Sequence, residues 1–281
     1  MAKHRVLIAN DTHVGSVWGL WPPNYKADHD RVLPPNEAQA ILYKEWLEFQ
    51  EAVSKRKYDT VVFLGDMIDG PGYRKRGREE MTPDLMDQVL AGDELLRPLL
   101  HAANPNEVYV ISGTDYHSDV QQDTERELAK CLDAQYLGCG PHDFVFGDTT
   151  INMSHGEGGS YWYRGTKLDK IGFAMLLCIG GEGLFNAKHI VRGHYHFMAY
   201  LHYQHQSMYV SPCWQLQTDY MRKVDPLKMI PNIGALELSI ENGEVSPYFF
   251  SYPHPPRPKT FVQGYSANLS ETKKVRKLKR W

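Results

Sequence analysis

The chain has 281 residues, of which 42% are hydrophobic and 23% are charged, and its formal net charge is −3. This length and composition suit one large α/β domain and exclude a chain that is disordered as a whole. The overall charge gives no general signal of nucleic-acid binding, although local clusters of charge do. The sequence shows no signal peptide, no membrane-spanning stretch and no CxxC pair. We therefore expect a cytoplasmic protein with free thiols and no membrane partner.

Short runs rich in Val and Ile predict buried strands along the chain. They lie at residues 5–10, 60–65, 108–113, 149–154, 189–193, 208–213 and 235–240. Helical patterns separate the early strands, so the first half predicts a parallel β-α-β-α-β unit with right-handed winding. The last third predicts strands joined by short turns, such as the one at Asn242 and Gly243. This order indicates an α/β fold of two stacked sheets flanked by helices.

Four helices are expected between these strands. Asn36 can cap the first, whose apolar face is formed by Leu42, Trp46, Phe49 and Val53. The second begins at Thr82 and Pro83, and Pro98 is expected to kink or end it. The third and fourth cover about residues 120–132 and 166–179.

Two segments follow from the distribution of these elements and of charge. Residues 1–255 are expected to form a single domain, and residues 256–281 a flexible C-terminal tail. The tail is basic, with six positive charges among residues 273–280. Such a run either contacts nucleic acid or is simply solvated.

Five short motifs follow predicted strands, each at the point where the strand ends. They are Asp11-Thr-His13, Gly65-Asp66-Met-Ile-Asp69, Gly113-Thr-Asp115-Tyr-His117, His155-Gly156 and Gly193-His194-Tyr-His196. Side chains at successive strand ends converge at the carboxyl edge of an α/β sheet, although they are far apart in the sequence. Carboxylates and imidazoles are metal ligands, and a carboxylate can bridge two cations. The motifs together predict a two-metal site.

This pattern resembles the calcineurin-like metallophosphoesterase family, whose motifs are D-x-H, G-D-x-x-D, G-N-H-[D/E], H-G and G-H-x-H. The resemblance runs from Arg5 to about Pro247. It implies a four-layer α/β/β/α sandwich, which agrees with the predicted order of elements.

The resemblance also implies which residues hold which ion. One metal would be held by Asp11, His13, Asp66 and His196, and the second by Asp66, His155 and His194, with Asp66 bridging. The expected cofactors are two divalent ions, with Mn²⁺ favoured and Fe, Zn²⁺ or Ni²⁺ as alternatives. Two such ions would lower the pKa of a bridging water, and the resulting hydroxide would attack phosphorus in line.

The third motif departs from the family, because Gly113-Thr-Asp115-Tyr-His117 stands where G-N-H-[D/E] is expected. In one alignment, Thr114 replaces the Asn that binds metal and Asp115 replaces the His. In the other, the turn is longer, Asp115 or the Thr114 hydroxyl binds metal, and His117 serves the leaving group with Asp69 orienting it. We favour the second alignment, because a carboxylate is the better ligand and an imidazole the better proton donor near neutral pH. The altered motif also resembles metallophosphoesterases of tailed bacteriophages and prophages, which would act in the host cytoplasm.

Local charge suggests the substrate. Arg74 and Arg76 lie in a basic run directly after the second motif, where they either contact phosphates or form a solvated loop. Arg164 follows three aromatic residues that either stack on a base or pack against the next helix. We therefore predict a phosphodiesterase that acts on a nucleotide or nucleic acid. The alternatives are a phosphomonoesterase or protein phosphatase, and a catalytically silent scaffold of the same fold.

Overall fold

The computed structural model describes residues 3–27, 31–71, 79–117, 123–156, 158, 163–178, 187–225 and 229–255. Its strands are β1 (His4–Ala9), β2 (Lys26–Ala27), β3 (Arg31–Val32), β4 (Thr60–Leu64), β5 (Glu107–Ile111), β6 (Gln135–Gly138), β7 (His142–Phe146), β8 (Thr149–Ser154), β9 (His189–Arg192), β10 (Ala199–Tyr203), β11 (Gln206–Val210), β12 (Ile233–Glu241) and β13 (Glu244–Tyr252). Its helices are α1 (Glu37–Ser54), α2 (Leu85–Ala103), α3 (Thr124–Cys131), α4 (Gly165–Cys178) and α5 (Asp219–Val224). The basic tail lies outside the described residues.

Two sheets carry the fold. The larger has the strand order β13-β12-β1-β4-β5-β6, and the smaller has the order β10-β11-β9-β8-β7. The predicted parallel unit is confirmed, because β1 pairs with β4 and β4 with β5 in parallel. The predicted late hairpin is also confirmed. It joins β12 to β13 through Asn242 and Gly243, whose φ angles of 52° and 84° suit a tight hairpin turn.

The layers follow from three apolar clusters. Between the sheets, residues of the larger sheet such as Ile8 and Val62 pack with residues of the smaller sheet such as Ile151 and Val191. A second cluster covers the outer face of the larger sheet with side chains of α1, α2 and α3. A third joins α4 to the outer face of the smaller sheet, where Leu168 packs near Met208. The expected four-layer α/β/β/α sandwich is therefore confirmed.

The predicted helices are present, with corrections at their ends. Asn36 caps α1 as expected, because its side chain accepts a hydrogen bond from the Gln39 N–H over 2.9 Å. Asp84, not Thr82, caps α2, since its carboxylate accepts from the first-turn N–H groups. Of the two effects expected of Pro98, a kink or an end of the helix, the end is wrong. The helix continues to Ala103 because its buried leucines hold that turn against the core.

Two expectations from composition can be compared with the described part of the chain. Cys131, Cys139 and Cys213 are free thiols, which agrees with the prediction for these three residues. Within the described residues, no helix combines the length and the apolar character needed to cross a membrane.

Candidate metal centre

All five motifs lie in the turns that follow β1, β4, β5, β8 and β9, at one edge of the paired sheets. The backbone at these turns is unusual. The site residues that adopt positive φ angles are Asp11 (52°), His13 (42°), Asp66 (49°), His194 (67°) and His196 (55°). A side chain other than glycine is strained in this region, and such strain collects at functional sites. The turns therefore direct these five side chains at a cost in stability.

The side chains converge into three groups whose candidate ligand atoms lie within 4.8 Å of one another. The groups are Asp11, His13 and His196; His13, Asp66 and His117; and Asp66, His155 and His194. Asp66 belongs to two of them, so its carboxylate can reach donors on both sides. These groups could hold divalent cations.

The first group surrounds Asp11, which is fully buried. The Nε2 atom of His196 lies 3.0 Å from Asp11 Oδ1, and Nε2 of His13 lies 3.7 Å from the same oxygen. On its other side, His13 Nδ1 lies 3.2 Å from the Asp69 carboxylate and donates to it. Among the described residues, His13 Nε2 has no hydrogen-bond partner although it is buried. A buried imidazole that is oriented by a carboxylate and has one unsatisfied nitrogen is typical of a metal ligand.

The third group, formed by Asp66, His155 and His194, surrounds the Asp66 carboxylate. Its Oδ2 atom lies 2.9 Å from His155 Nε2, and His155 Nδ1 donates to the Leu64 carbonyl over 2.7 Å. The Nε2 atom of His194 makes a 2.7 Å hydrogen bond with the Gly158 carbonyl. Because a carbonyl can only accept, these bonds fix which nitrogen of each ring carries the proton. The other nitrogen, His155 Nε2 or His194 Nδ1, can then bind a cation.

The electrostatics keep negative charge at the site. Burial alone would raise the pKa of Asp66, but His155 and His117 hold it far below its usual range. His196 and His155 lower the pKa of Asp11 against the same effect of burial. Burial would lower the pKa of His155, yet the charges of Asp66 and Asp11 raise it to about 10. The buried carboxylates therefore remain ionised and require positive charge nearby.

The donor set fits divalent cations. Every candidate ligand is an imidazole nitrogen or a carboxylate oxygen, and no cysteine takes part in the three groups. Such sets suit Mn²⁺, Fe, Zn²⁺ and similar ions, whereas a structural zinc cluster usually contains thiolates. The unsatisfied His13 Nε2 atom and the buried carboxylates are what a cation would complete.

In the third motif, Thr114 is the residue that contacts the site most closely. Its N–H donates to Asp66 Oδ1 over 2.7 Å, and its hydroxyl lies 3.2 Å and 3.3 Å from the two Asp66 oxygens. Asp115 is exposed and belongs to none of the three groups. The arrangement therefore gives no support to Asp115 as a ligand and assigns the contact to Thr114.

The imidazole of His117 does reach the site. Its Nδ1 atom donates to the main-chain carbonyl of Asp69 over 2.6 Å, and its Nε2 atom lies 4.0 Å from Asp66 Oδ2. The Asp69 carboxylate is 3.6 Å from His117 Nδ1 and closer to His13. Asp69 thus touches His117 mainly through its carbonyl, while its carboxylate orients His13. Burial lowers the pKa of His117.

The three substrate candidates fall in different places. Arg164 is half-buried, and its guanidinium donates to Asn232 Oδ1 over 3.1 Å. The N–H of Asn232 in turn donates to the His196 carbonyl over 2.9 Å. Arg164 therefore lies beside the last motif and is linked to it through Asn232. Arg74 and Arg76 lie outside the described residues.

Sequence reasoning missed Glu125, a buried residue in the first turn of α3. Its carboxylate accepts hydrogen bonds from the N–H groups of Met67, which lies within the second motif, and of Gly113, which begins the third. Burial and the charge of Asp66 raise the pKa of Glu125 to about 7. No sequence signal separates it from the acidic residues that commonly occupy a first helical turn.

No model of a known protein family matches the sequence, and no curated protein matches it either. Among solved structures, the chain is similar to an archaeal phosphodiesterase (12% identity, TM-score 0.44, covering 88% of this chain and 99% of that one). It is also similar to a Vps29 variant from Entamoeba histolytica (13% identity, TM-score 0.42, covering 89% of this chain and 99% of that one). A third similar structure is a conserved Streptococcus pneumoniae protein described as a predicted phosphoesterase (13% identity, TM-score 0.40, covering 92% of this chain and 95% of that one). At these values the similarities carry no argument about activity, which rests on the geometry of the site.

Proposed function

We propose that the chain is a metal-dependent phosphoric ester hydrolase, most of all a phosphodiesterase. The observation that carries this proposal is the convergence of buried imidazoles around two ionised carboxylates, Asp11 and Asp66. Such a cluster is costly to bury unless cations complete it. When bound, two divalent cations supply Lewis-acid activation of water and of a phosphoryl oxygen.

The residues of the chain divide the remaining work. Asp11, His13 and His196 hold one side of the centre, His155 and His194 hold the other, and Asp66 joins the two. Asp69 keeps His13 in the tautomer whose Nε2 atom can bind a cation. His117 is the residue we assign to proton transfer, because its Nδ1 proton is engaged by the Asp69 carbonyl and its Nε2 atom faces Asp66.

We further propose a nucleotide or nucleic-acid diester as the substrate. Arg164, which lies beside the last motif, supports this, as does the basic run containing Arg74 and Arg76 in the sequence. Planar guanidinium groups suit phosphates outside the reacting one. The proposed metal is Mn²⁺, because oxygen and imidazole donors without thiolate accept it.

The direct test is hydrolysis of bis(p-nitrophenyl) phosphate against p-nitrophenyl phosphate by the full chain with Mn²⁺, followed by cyclic dinucleotides, DNA and RNA. We expect faster turnover of the diester, abolished in His155→Ala and retained in His202→Ala. His202 is a suitable control because it lies in β10 and bonds Ser207, away from the site. Preference for the monoester would favour a phosphomonoesterase or protein phosphatase.

One observation favours a second candidate, a silent scaffold that keeps the fold for protein binding. Thr114 stands where the family places a metal-binding Asn, and its side chain bonds Asp66 instead. A scaffold does not need six converging donors, which is why we rank it second. Absence of bound metal in the purified protein, together with no hydrolysis of either ester, would favour the scaffold.

A further inference from the structure

Glu125, which lies in α3, links two turns of the candidate centre. Its Oε1 atom accepts from the Met67 N–H over 2.9 Å, and its Oε2 atom accepts from the Gly113 N–H over 2.5 Å. Met67 directly follows Asp66, and Gly113 directly precedes Thr114. One carboxylate from α3 thus holds the turn after β4 and the turn after β5, and we call these two bonds the Glu125 clamp.

The two turns need such a clamp because they approach very closely. A Cβ atom on Gly113 would lie 2.0 Å from Asp66 Oδ1 and 2.3 Å from the Asp66 N atom. Only glycine permits this distance. The approach is what lets the Thr114 N–H reach Asp66 Oδ1 over 2.7 Å. The clamp therefore acts on the orientation of the Asp66 carboxylate.

The two hydrogen bonds of the Glu125 clamp are separate from those that cap α3. Asp123 caps α3, with its carboxylate accepting from the Arg126 N–H. Glu125 is 3% exposed, and both of its oxygens reach across to other segments of the chain. A carboxylate that accepts two N–H groups in a buried place fixes both segments with charge-assisted hydrogen bonds.

We propose that Glu125 is a positioning residue that fixes Asp66 for binding two cations at once. It acts through Met67, Gly113 and Thr114 and need not touch either cation itself. This inference rests on the proposed function. It predicts that loss of the clamp weakens the pairing of the two cations more than it weakens the fold.

The test titrates the full, metal-free chain with Mn²⁺ alone. Calorimetry measures the affinities, and electron paramagnetic resonance shows whether the bound ions are coupled. Glu125→Gln keeps the length of the side chain but replaces one acceptor with an amide donor. Glu125→Asp keeps the charge but is too short to reach both N–H groups. Glu127→Gln is the matched control, because Glu127 lies two residues on in α3 and pairs with Lys130.

We expect wild type and Glu127→Gln to bind two Mn²⁺ and to show the spectrum of a coupled pair. Both Glu125 variants should lose ~10–100-fold in affinity for the second ion, the range typical of outer-shell partners, and should lose the coupled spectrum. Thermal melting confirms that the variants are folded, and Glu125→Asp supplies the result if Glu125→Gln does not fold.

Three outcomes would overturn the inference. If both Glu125 variants match wild type in affinity and spectrum, Asp66 does not depend on the clamp. If Glu125→Gln weakens binding while Glu125→Asp matches wild type, Glu125 acts only through its charge. If wild type itself binds fewer than two Mn²⁺, the proposed function fails and the inference fails with it. Failure of the clamp alone is distinguishable, because wild type then still binds two Mn²⁺.

Discussion

Asp66 at the site and Glu45 on α1 are both buried carboxylates, but burial has opposite results in the two regions. Asp66 is 2% exposed at the edge of the sheets, and Glu45 is 8% exposed on α1. Burial raises the pKa of Glu45 to about 7, and neighbouring Glu48 adds to the effect. The same burial acts on Asp66, yet imidazoles hold its pKa far below the usual range. Of these two places, the site edge is therefore the one organised to keep a buried negative charge, which is what binding of cations requires.

The contrast also appears in hydrogen bonding. Asp66 accepts from the N–H and hydroxyl of Thr114 and lies against His155. The Oε2 atom of Glu45 is buried and has no hydrogen-bond partner within the described ranges. Burying a carboxylate oxygen that lacks a partner disfavours the charged form, which is why the pKa of Glu45 is raised.

The largest effect is expected from Asp66→Asn, which removes the charge that the imidazoles sustain. We expect activity to fall to about the background of metal-free protein, with the fold retained by circular dichroism, because the proposed centre would lose the ligand that its two ions share. Asp148→Asn, an exposed change in the β7–β8 turn, should keep its activity. Normal turnover in Asp66→Asn would break the comparison.

A smaller but selective effect is expected from His117→Ala. If His117 transfers a proton, diesters with poor leaving groups should slow by ~100-fold or more, whereas aryl esters should slow far less. Rates for the two substrate classes at saturating Mn²⁺ measure this difference. Equal slowing of both classes with a raised requirement for metal would instead make His117 a ligand beside His13 and Asp66.

The role of the third motif can be tested by a substitution that is expected to strengthen metal binding. Thr114→Asn supplies the amide oxygen of the G-N-H motif that the third motif resembles, so we expect the affinity for the second metal to rise by ~10-fold. Asp115→Ala should leave both affinities unchanged, because the Asp115 side chain is exposed. Calorimetric titration with Mn²⁺ measures both. A raised metal requirement in Asp115→Ala would restore the alignment in which Asp115 is a ligand.

The smallest effect concerns Glu45. The folded protein holds this proton more tightly than the unfolded chain, so stability should fall as the pH rises from about 4.5 through about 7. Glu45→Gln removes the titration and should stabilise the fold at pH ~8 by about 1 kcal/mol, discounted for partial solvent access, with little effect at pH ~5. Melting curves at both pH values test this.

Glu51→Gln is the control for Glu45→Gln. Lys55 lowers the pKa of the exposed Glu51 carboxylate through a hydrogen bond, so this substitution should not stabilise the protein at either pH. Equal stabilisation by Glu45→Gln at both pH values would show that Glu45 does not titrate as the comparison requires.

The central strands could be predicted from sequence, and the edge strands could not. The strands found by their Val- and Ile-rich runs are β1, β4, β5, β8, β9, β11 and β12, which have neighbours on both sides. No such run marks the two-residue strands β2 and β3, or the strands β6, β7, β10 and β13, which form the four edges of the two large sheets. Of these, only β13 is indicated in another way, by the turn at Asn242 and Gly243. Edge strands are partly exposed and tolerate polar residues and proline, as Pro247 in β13 illustrates.

The candidate site, too, could be predicted from the sequence only in part. The residues of the five motifs converge as the order of strands suggested, because strand ends meet at one edge. The path of the turn after β5 decides between Thr114 and Asp115, and residue types alone do not fix it. The dual contact of Asp69 and the clamp of Glu125 depend on tertiary approach, for which the sequence holds no periodic signal.

The number of metal ions that the protein binds decides whether the buried cluster of carboxylates and imidazoles is a two-metal centre. Metal-free protein is loaded with Mn²⁺, freed of excess ions by gel filtration and measured by elemental analysis. The account predicts two equivalents in wild type and at most one in Asp66→Asn. Wild-type protein without bound metal, or an Asp66→Asn variant with both ions retained, would contradict it.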